Sequence, residues 1–239
     1  MGRYYDKSGI VLTGGLREAR KVDGVPSVTT VLNVLDKSGL TEWKIKQGIL
    51  AALTLPKIQD ETDEDYLKRI LLDSKEHSKN AADMGTEIHN FIENYLKKKI
   101  KLFQSHQDTD YVWTNITNWI DENIGKIFGV EEVVICPNLA VAGRYDCYCM
   151  TMEGQTLIDW KTQAVKKDKP IFYEEWTYQL GGLHLIMNAD ITQHWSVVIS
   201  AAKDTLGNIY VKKWSYDEII KGMQIFNYCL QIFKLQKNL

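Results

Sequence analysis

Apolar residues along the first half of the chain recur at helical spacing. Ile88, Phe91, Ile92, Tyr95 and Leu96 stand at i, i+3, i+4, i+7 and i+8, which predicts a helix over Met84–Lys98 with one apolar stripe. Lysines 97–99 then fall in its last turn, where the helix dipole favours cations. Trp113, Ile116, Trp119, Ile120 and Ile127 predict another helix from Tyr111 to Ile127. Earlier in the chain, residues 1–25 read as a short hairpin or extended arm, with Thr13-Gly14-Gly15 as turn chemistry. Ser27 is placed to cap a helix running through Leu35, and Leu40–Leu53 reads as the next. The acidic run Asp60–Asp65 suits the positive end of a third.

After residue 129 the pattern becomes β-branched and alternating. Val130–Cys136, Ala140–Met150 and Gln155–Lys161 read as three strands, the last two joined at Glu153-Gly154. Ile171–Met187 returns to helical spacing. Trp195–Ala201 and Ile209–Trp214 read as strands around Leu206-Gly207-Asn208, and Tyr216 to about Leu235 as a final helix. Helices followed by β-β-β-α-β-β-α predict an α/β (α+β) fold: a central mixed sheet flanked by helices, plus an N-terminal helical region.

Composition narrows the class. The chain has 239 residues, 44% hydrophobic and 25% charged, which excludes disordered, collagen-like and disulfide-scaffold proteins. No apolar run approaches the ~18 residues of a membrane span, and Met1-Gly2-Arg3-Tyr4-Tyr5-Asp6 has no apolar signal region. A net charge of −2 neither implies nor excludes nucleic acid, because carboxylates at a metal site offset a basic groove. Cys136, Cys147, Cys149 and Cys229 form no C-x-x-C pair and read as reduced, mostly buried thiols.

The candidate chemistry gathers around the third strand of the β half. Alternation puts Leu157, Asp159 and Lys161 on one face and Ile158 and Trp160 on the other. If that strand pairs with its predecessor through the Met152–Gln155 turn, Asp146 lies beside Asp159. Two such carboxylates repel by roughly 3 kcal/mol at ~5 Å and an effective dielectric near ~20, so the arrangement calls for a cation. Oxygen ligands with open positions suit Mg²⁺ or Mn²⁺. His89, on the clearest helix, and Glu131 or Glu132, at the start of the first strand, are further candidates.

Gly85-x-x-x-His89, Glu131, Gly143-x-x-Asp146, Asp159-Trp160-Lys161-Thr162 and then Gln179 on a helix form an ordered set. In this set the chain resembles the PD-(D/E)XK nuclease superfamily, and within it the RecB-type exonucleases. Val130–Thr162 is especially similar to mitochondrial genome-maintenance exonucleases and their phage relatives, as are Pro26-Ser27-Val28-Thr29-Thr30-Val31-Leu32 and Trp43-Lys44. The likeness runs from about Val25 to Met187.

The resemblance implies a restriction-endonuclease-like core in a single domain over 1–239: an arm and helices over 1–83, a catalytic core over 84–214 and a C-terminal helix over 215–239. It implies a divalent-metal-dependent DNA exonuclease acting on single strands or DNA ends in replication, recombination or repair. The alternatives are a duplex-DNA phage recombination or restriction-type nuclease, and a non-catalytic DNA-binding module. His89, Asp146, Asp159 and the Trp160 carbonyl would hold Mg²⁺ or Mn²⁺, with Glu131 among the catalytic acids and Lys161 acting on the reacting water or the developing charge. Gln179, Thr162, Ser27, Thr29, Thr30 and Lys166 would meet DNA, Lys167 and Lys169 extend the basic loop, and Trp43, Trp113, Trp119 and Trp176 are candidates for base stacking. Two departures stand out. Gln179 is followed four residues on by Leu183 in place of the Tyr of many relatives, which brings in Tyr178 or His184, and no cysteine precedes Cys136, so no iron–sulfur cluster is expected. No membrane partner is expected. The location implied is cytoplasmic, in the host if the protein is phage-encoded.

Overall fold

The computed structural model describes residues 2–36, 38–101 and 111–238. It contains two compact units, Met1–Leu35 with His89–Leu239 and Asp36–Ile88, and each is taken by itself.

In the larger unit, Tyr4–Tyr5 (β1) pairs antiparallel with both Val11–Leu12 (β2) and Val25–Pro26 (β3). The hairpin expected in residues 1–25 is therefore present, but Gly15–Val22 forms a helix (α1) inside it that the pattern did not announce. Half of its residues are charged and only Gly15 and Ala19 are buried, so its apolar face is too narrow to register. Ser27 caps Val28–Val31 (α2), accepting the Thr30 N–H at 3.0 Å, and the chain tightens into a 3₁₀ turn over Leu32–Val34 before the expected end at Leu35.

In the smaller unit, Ser38–Thr54 (α3) is followed by the start of Asp63–Lys101 (α4). The acidic opening and the Met84–Lys98 stripe are thus parts of one helix; no proline or glycine stands between Asp63 and Met84 to divide it. Arg69 closes the intervening turn, binding Glu61 through Nε at 2.9 Å and Nη2 at 2.8 Å and the Pro56 carbonyl at 2.8 Å.

Tyr111–Asn123 (α5) stops short of the expected Ile127, because the strands capture residues 125–127. The Gly125 N–H donates to the Met150 carbonyl at 2.8 Å and the Met150 N–H to that of Lys126 at 2.7 Å. The strands are Ile127–Cys136 (β4), Val141–Thr151 (β5) and Gly154–Gln163 (β6), then Gln193–Ser200 (β7) and Ile209–Trp214 (β8). They form one sheet in sequence order. All neighbours are antiparallel except β6 and β7, which run parallel on either side of the crossover helix Glu175–Met187 (α6). That helix begins four residues later than the periodicity predicts, because the Gln163 side chain holds both the N–H and the C=O of Ile171 in an extended pairing.

Tyr216–Lys237 (α7) closes the chain with a Ser215/Glu218 capping box. Its close approach to α6 requires glycine: a Cβ on Gly181 would lie 2.5 Å from the Met223 nitrogen, and one on Gly222 would overlap the Thr177 carbonyl. The core on this side includes Leu157, Leu180, Leu183, Phe226 and Leu230. On the opposite face Trp119 of α5 meets Trp160 and Trp195 edge-on at 5.6 and 6.4 Å. The fold class is therefore the expected mixed sheet between helices, with N-terminal strands and helices. Among the described residues no helix is long and apolar enough to cross a membrane.

Candidate active site

Three elements bring ligand atoms together. His89 comes from α4, Glu131 from β4 and Asp146 from β5. One nitrogen or carboxylate oxygen from each lies within 4.8 Å of the others, the one such group among the described residues.

Glu131 reaches this place through its backbone. Its φ is 55°, in the left-handed region, in the middle of a strand. A non-glycine residue there costs about 1–3 kcal/mol. The ladder steps from Val130↔Cys147 to Glu132↔Tyr145 around it. Its neighbour has other work, since Glu132 accepts the Tyr145 hydroxyl at 2.8 Å. Of the two acids left open by sequence, Glu131 therefore belongs to the cluster.

Asp146 lies one residue beyond Cys147↔Ile158, the pair that ends the β5–β6 ladder, so it comes level with Asp159. Its Oδ2 accepts the Trp160 N–H at 2.8 Å, which fixes the carboxylate against the next strand. His89 Nδ1 is 4.0 Å from the same oxygen. Burial lowers the His89 pKa, opposed by Asp146 and reinforced by Lys161. The ring is therefore neutral near pH 7, so this contact is not an ion pair and a nitrogen lone pair remains for a cation.

Asp159 is 2% exposed. Its Oδ1 accepts Lys161 Nζ at 2.8 Å and Gln179 Nε2 at 3.0 Å, and Oδ2 lies 2.7 Å from the same ammonium. Gln179 Oε1 in turn accepts from Lys161 at 3.3 Å, and the ammonium sits 5.8 Å from the centre of the Trp176 ring. Burial raises the Asp159 pKa, against Lys161 and with Asp146. The register sets Asp146 level with Asp159 as the sequence pattern predicts; His89 and Glu131 gather with Asp146, while Lys161 lies against Asp159.

Burial pushes the Glu131 carboxyl up to about 7, helped by Asp146 and opposed by Arg144. Arg144 Nε lies 2.8 Å from Glu131 Oε2, an ion pair whose angle falls short of a hydrogen bond. Glu131 Oε2 and Asp159 Oδ2 are both buried and accept no hydrogen bond. Two carboxylates, one neutral imidazole and unfilled lone pairs fit a hard divalent cation such as Mg²⁺ or Mn²⁺.

The other residues singled out by sequence divide. Thr29 is exposed and, with Ser27, lines a cavity of about 110 Å³ that also touches Arg3, Arg144, Asp146 and Gln179. Ser27 and Thr30 are buried. The Ser27 hydroxyl donates to Thr30 Oγ1 at 2.8 Å, and Thr30 binds both the N–H and C=O of Arg3. Thr162 shares the face of Trp160, away from Asp159 and Lys161, and its hydroxyl is buried without a partner. Lys166 is exposed in a tight turn whose centre, Lys167-Asp168, has φ of 52° and 53°. Trp119 is in the indole cluster and Trp113 packs 4.4 Å from Phe91, whereas Trp176 faces Lys161. Leu183 is core, and His184 is bound to His194 at 2.8 Å. Three of the four cysteines are buried and Cys136 is half-buried. Arg144 and Trp176 are the contacts that sequence left unassigned to the catalytic cluster. Arg144 had one signal, its position two residues before Asp146 on a strand.

No protein-family model matches the chain, and no curated protein matches it. Among solved structures it is similar to a protein called SSO0001, at 14% identity and a TM-score of 0.35, over 81% of this chain and 86% of that one. It is also similar to a Eubacterium rectale protein provisionally named an exonuclease, at 9% identity and a TM-score of 0.40, over 66% of this chain and 67% of that one.

Proposed function

We propose that this chain is a divalent-metal-dependent nuclease that hydrolyses DNA phosphodiester bonds, acting as an exonuclease on single strands or DNA ends. The observation that carries this reading is the convergence of His89, Glu131 and Asp146 within 4.8 Å, beside the pair of buried Asp159 and half-buried Lys161. Two half-buried acids beside a half-buried imidazole suit a cation, and a half-buried ammonium between a carboxylate and an amide is poised for charge that develops nearby.

In this reading His89, Glu131 and Asp146 hold the ion, with Asp159 and the Trp160 carbonyl completing its surroundings. A bound Mg²⁺ or Mn²⁺ supplies Lewis acidity to the phosphate and lowers the pKa of the attacking water. Lys161 positions that water and offsets charge on the phosphate oxygens. Gln179, bound to both Asp159 and Lys161, keeps the ammonium aimed. Thr29 and Lys166, both exposed, bind backbone phosphates, and the Lys166 charge makes affinity salt-dependent.

The test is an end-labelled cleavage assay. Single-stranded and duplex oligonucleotides carrying 5′ or 3′ labels are incubated with Mn²⁺, Mg²⁺ or EDTA. Mononucleotides or short oligomers released with metal and not with EDTA support the reading. Uncut DNA of every form under Mn²⁺ overturns it.

A further inference from the structure

We propose that Arg144 is a built-in counter-cation: it neutralises Glu131 until a divalent ion arrives, and the displaced guanidinium then binds the phosphodiester of the strand being cut. The inference rests on the nuclease reading and names a residue which that reading leaves unused.

Arg144 and the ion would both draw on the Glu131 carboxylate. Arg144 Nε is 2.8 Å from Glu131 Oε2, and Glu131 is also one of the three residues whose ligand atoms lie within 4.8 Å. A guanidinium and a divalent cation held by one carboxylate repel each other, which weakens the hold of both. The partner that moves is set by packing. Glu131 has a side chain 10% exposed and a backbone locked in the left-handed region, whereas the Arg144 side chain is 43% exposed. The existing contact lacks hydrogen-bond geometry, so leaving it gives up less than a well-aligned fork would.

Arg144 also has a place to go. It lines the cavity of about 110 Å³ with Arg3, Thr29, Asp146 and Gln179, so the released side chain stays beside the candidate site. A planar guanidinium matches two phosphate oxygens at once. The switch keeps positive charge near the carboxylates when no ion is bound, and delivers it to DNA only when the site is loaded.

The experiment measures metal and DNA separately on the full chain. Calorimetry with MnCl₂ and no DNA compares wild type with Arg144→Met, Arg144→Gln and Arg144→Lys. Fluorescence anisotropy with a single-stranded phosphorothioate oligonucleotide in Ca²⁺ reads binding without turnover. Removing the competing charge should tighten Mn²⁺ about fivefold in the Met and Gln variants. It should weaken the oligonucleotide about tenfold. Arg144→Lys should return Mn²⁺ affinity to the wild-type value. In EDTA, Glu131→Gln should bind the oligonucleotide more tightly than wild type, and Arg144→Met in the same chain should erase that gain. Unchanged or weaker Mn²⁺ affinity in the Met and Gln variants, unchanged oligonucleotide affinity, or a Glu131→Gln gain that survives in the double variant overturns the proposal. If wild type binds Mn²⁺ and cuts DNA while the variants match it, Arg144 alone is misassigned. If wild type neither binds Mn²⁺ nor cuts, the nuclease reading fails with it.

Discussion

Lys161 holds Asp159 by both oxygens, at 2.8 Å from Oδ1 and 2.7 Å from Oδ2, in a pocket where Asp159 is nearly sealed from water. The pair means that Lys161 does two things, holding a buried carboxylate ionised and presenting an ammonium toward Gln179 and Trp176. Lys161→Met should lower single-turnover cleavage by about 10²–10³-fold, the usual loss when one stabilising donor is removed. Mn²⁺ affinity at pH 8 should stay within a few-fold of wild type. Calorimetry beside single-turnover rates checks this, and a rate equal to wild type would remove Lys161 from the chemistry.

If the proposed ion binds here, Glu131 would make its binding depend on pH. Its carboxyl titrates near 7 in the folded protein against 4.5 for the free side chain. Between those values the folded protein binds more protons than the unfolded chain. Ionising Glu131 therefore destabilises the metal-free fold as pH rises through this window, with the full penalty above about 7. Glu131→Gln should raise Tm by a few degrees at pH 8 and leave it unchanged at pH 4. Mn²⁺ requires the carboxylate, so its own Tm gain should be larger at pH 8 than at pH 6, and should shrink in Asp146→Asn. Thermal melts at the three pH values, with and without Mn²⁺, give the comparison.

The His184–His194 contact predicts acid sensitivity away from the candidate site. The ring nitrogens are 2.8 Å apart, and burial with the His184 charge pushes the His194 pKa down to about 3. Between about 3 and the ordinary 6.5, the unfolded chain holds the extra proton, so stability falls as pH falls through that window. His194→Gln should flatten the loss of Tm between pH 6.5 and pH 4.5. A slope as steep as wild type would place the acid sensitivity elsewhere.

Two glycine substitutions should move stability in opposite directions. Gly222→Ala drives a methyl into the Thr177 carbonyl where α6 and α7 touch, and should cost about 3 kcal/mol. Gly48, in α3, has nothing within 4 Å of its missing Cβ, so Gly48→Ala should add about 0.5–1 kcal/mol. Urea denaturation of both variants measures each change.

The strands were legible because β-branched residues alternate through the β half, and Ile209–Trp214 keeps its expected bounds. The α4 stripe was legible too, with Ile88, Ile92 and Leu96 all buried. Features that depend on backbone turns or distant partners were not. Nothing in the letters around Glu131 announces a left-handed residue inside a strand, and Glu132 looks equivalent until Tyr145 is seen to hold it. Ser27 and Thr30 look like phosphate donors in sequence, but their hydroxyls also close the α2 cap and bind Arg3. The Arg144–Glu131 pair joins two strands, so local spacing could not reveal it.

The central claim is that His89, Glu131 and Asp146 grip a divalent ion where DNA is cut. Crystals grown with Mn²⁺ and a phosphorothioate oligonucleotide test it most directly through anomalous scattering. A manganese peak is expected about 2.1 Å from a carboxylate oxygen of Asp146 and of Glu131, with the His89 nitrogen and a phosphate oxygen in the same shell. A map with DNA in place and manganese bound elsewhere, or nowhere on these three side chains, would contradict it.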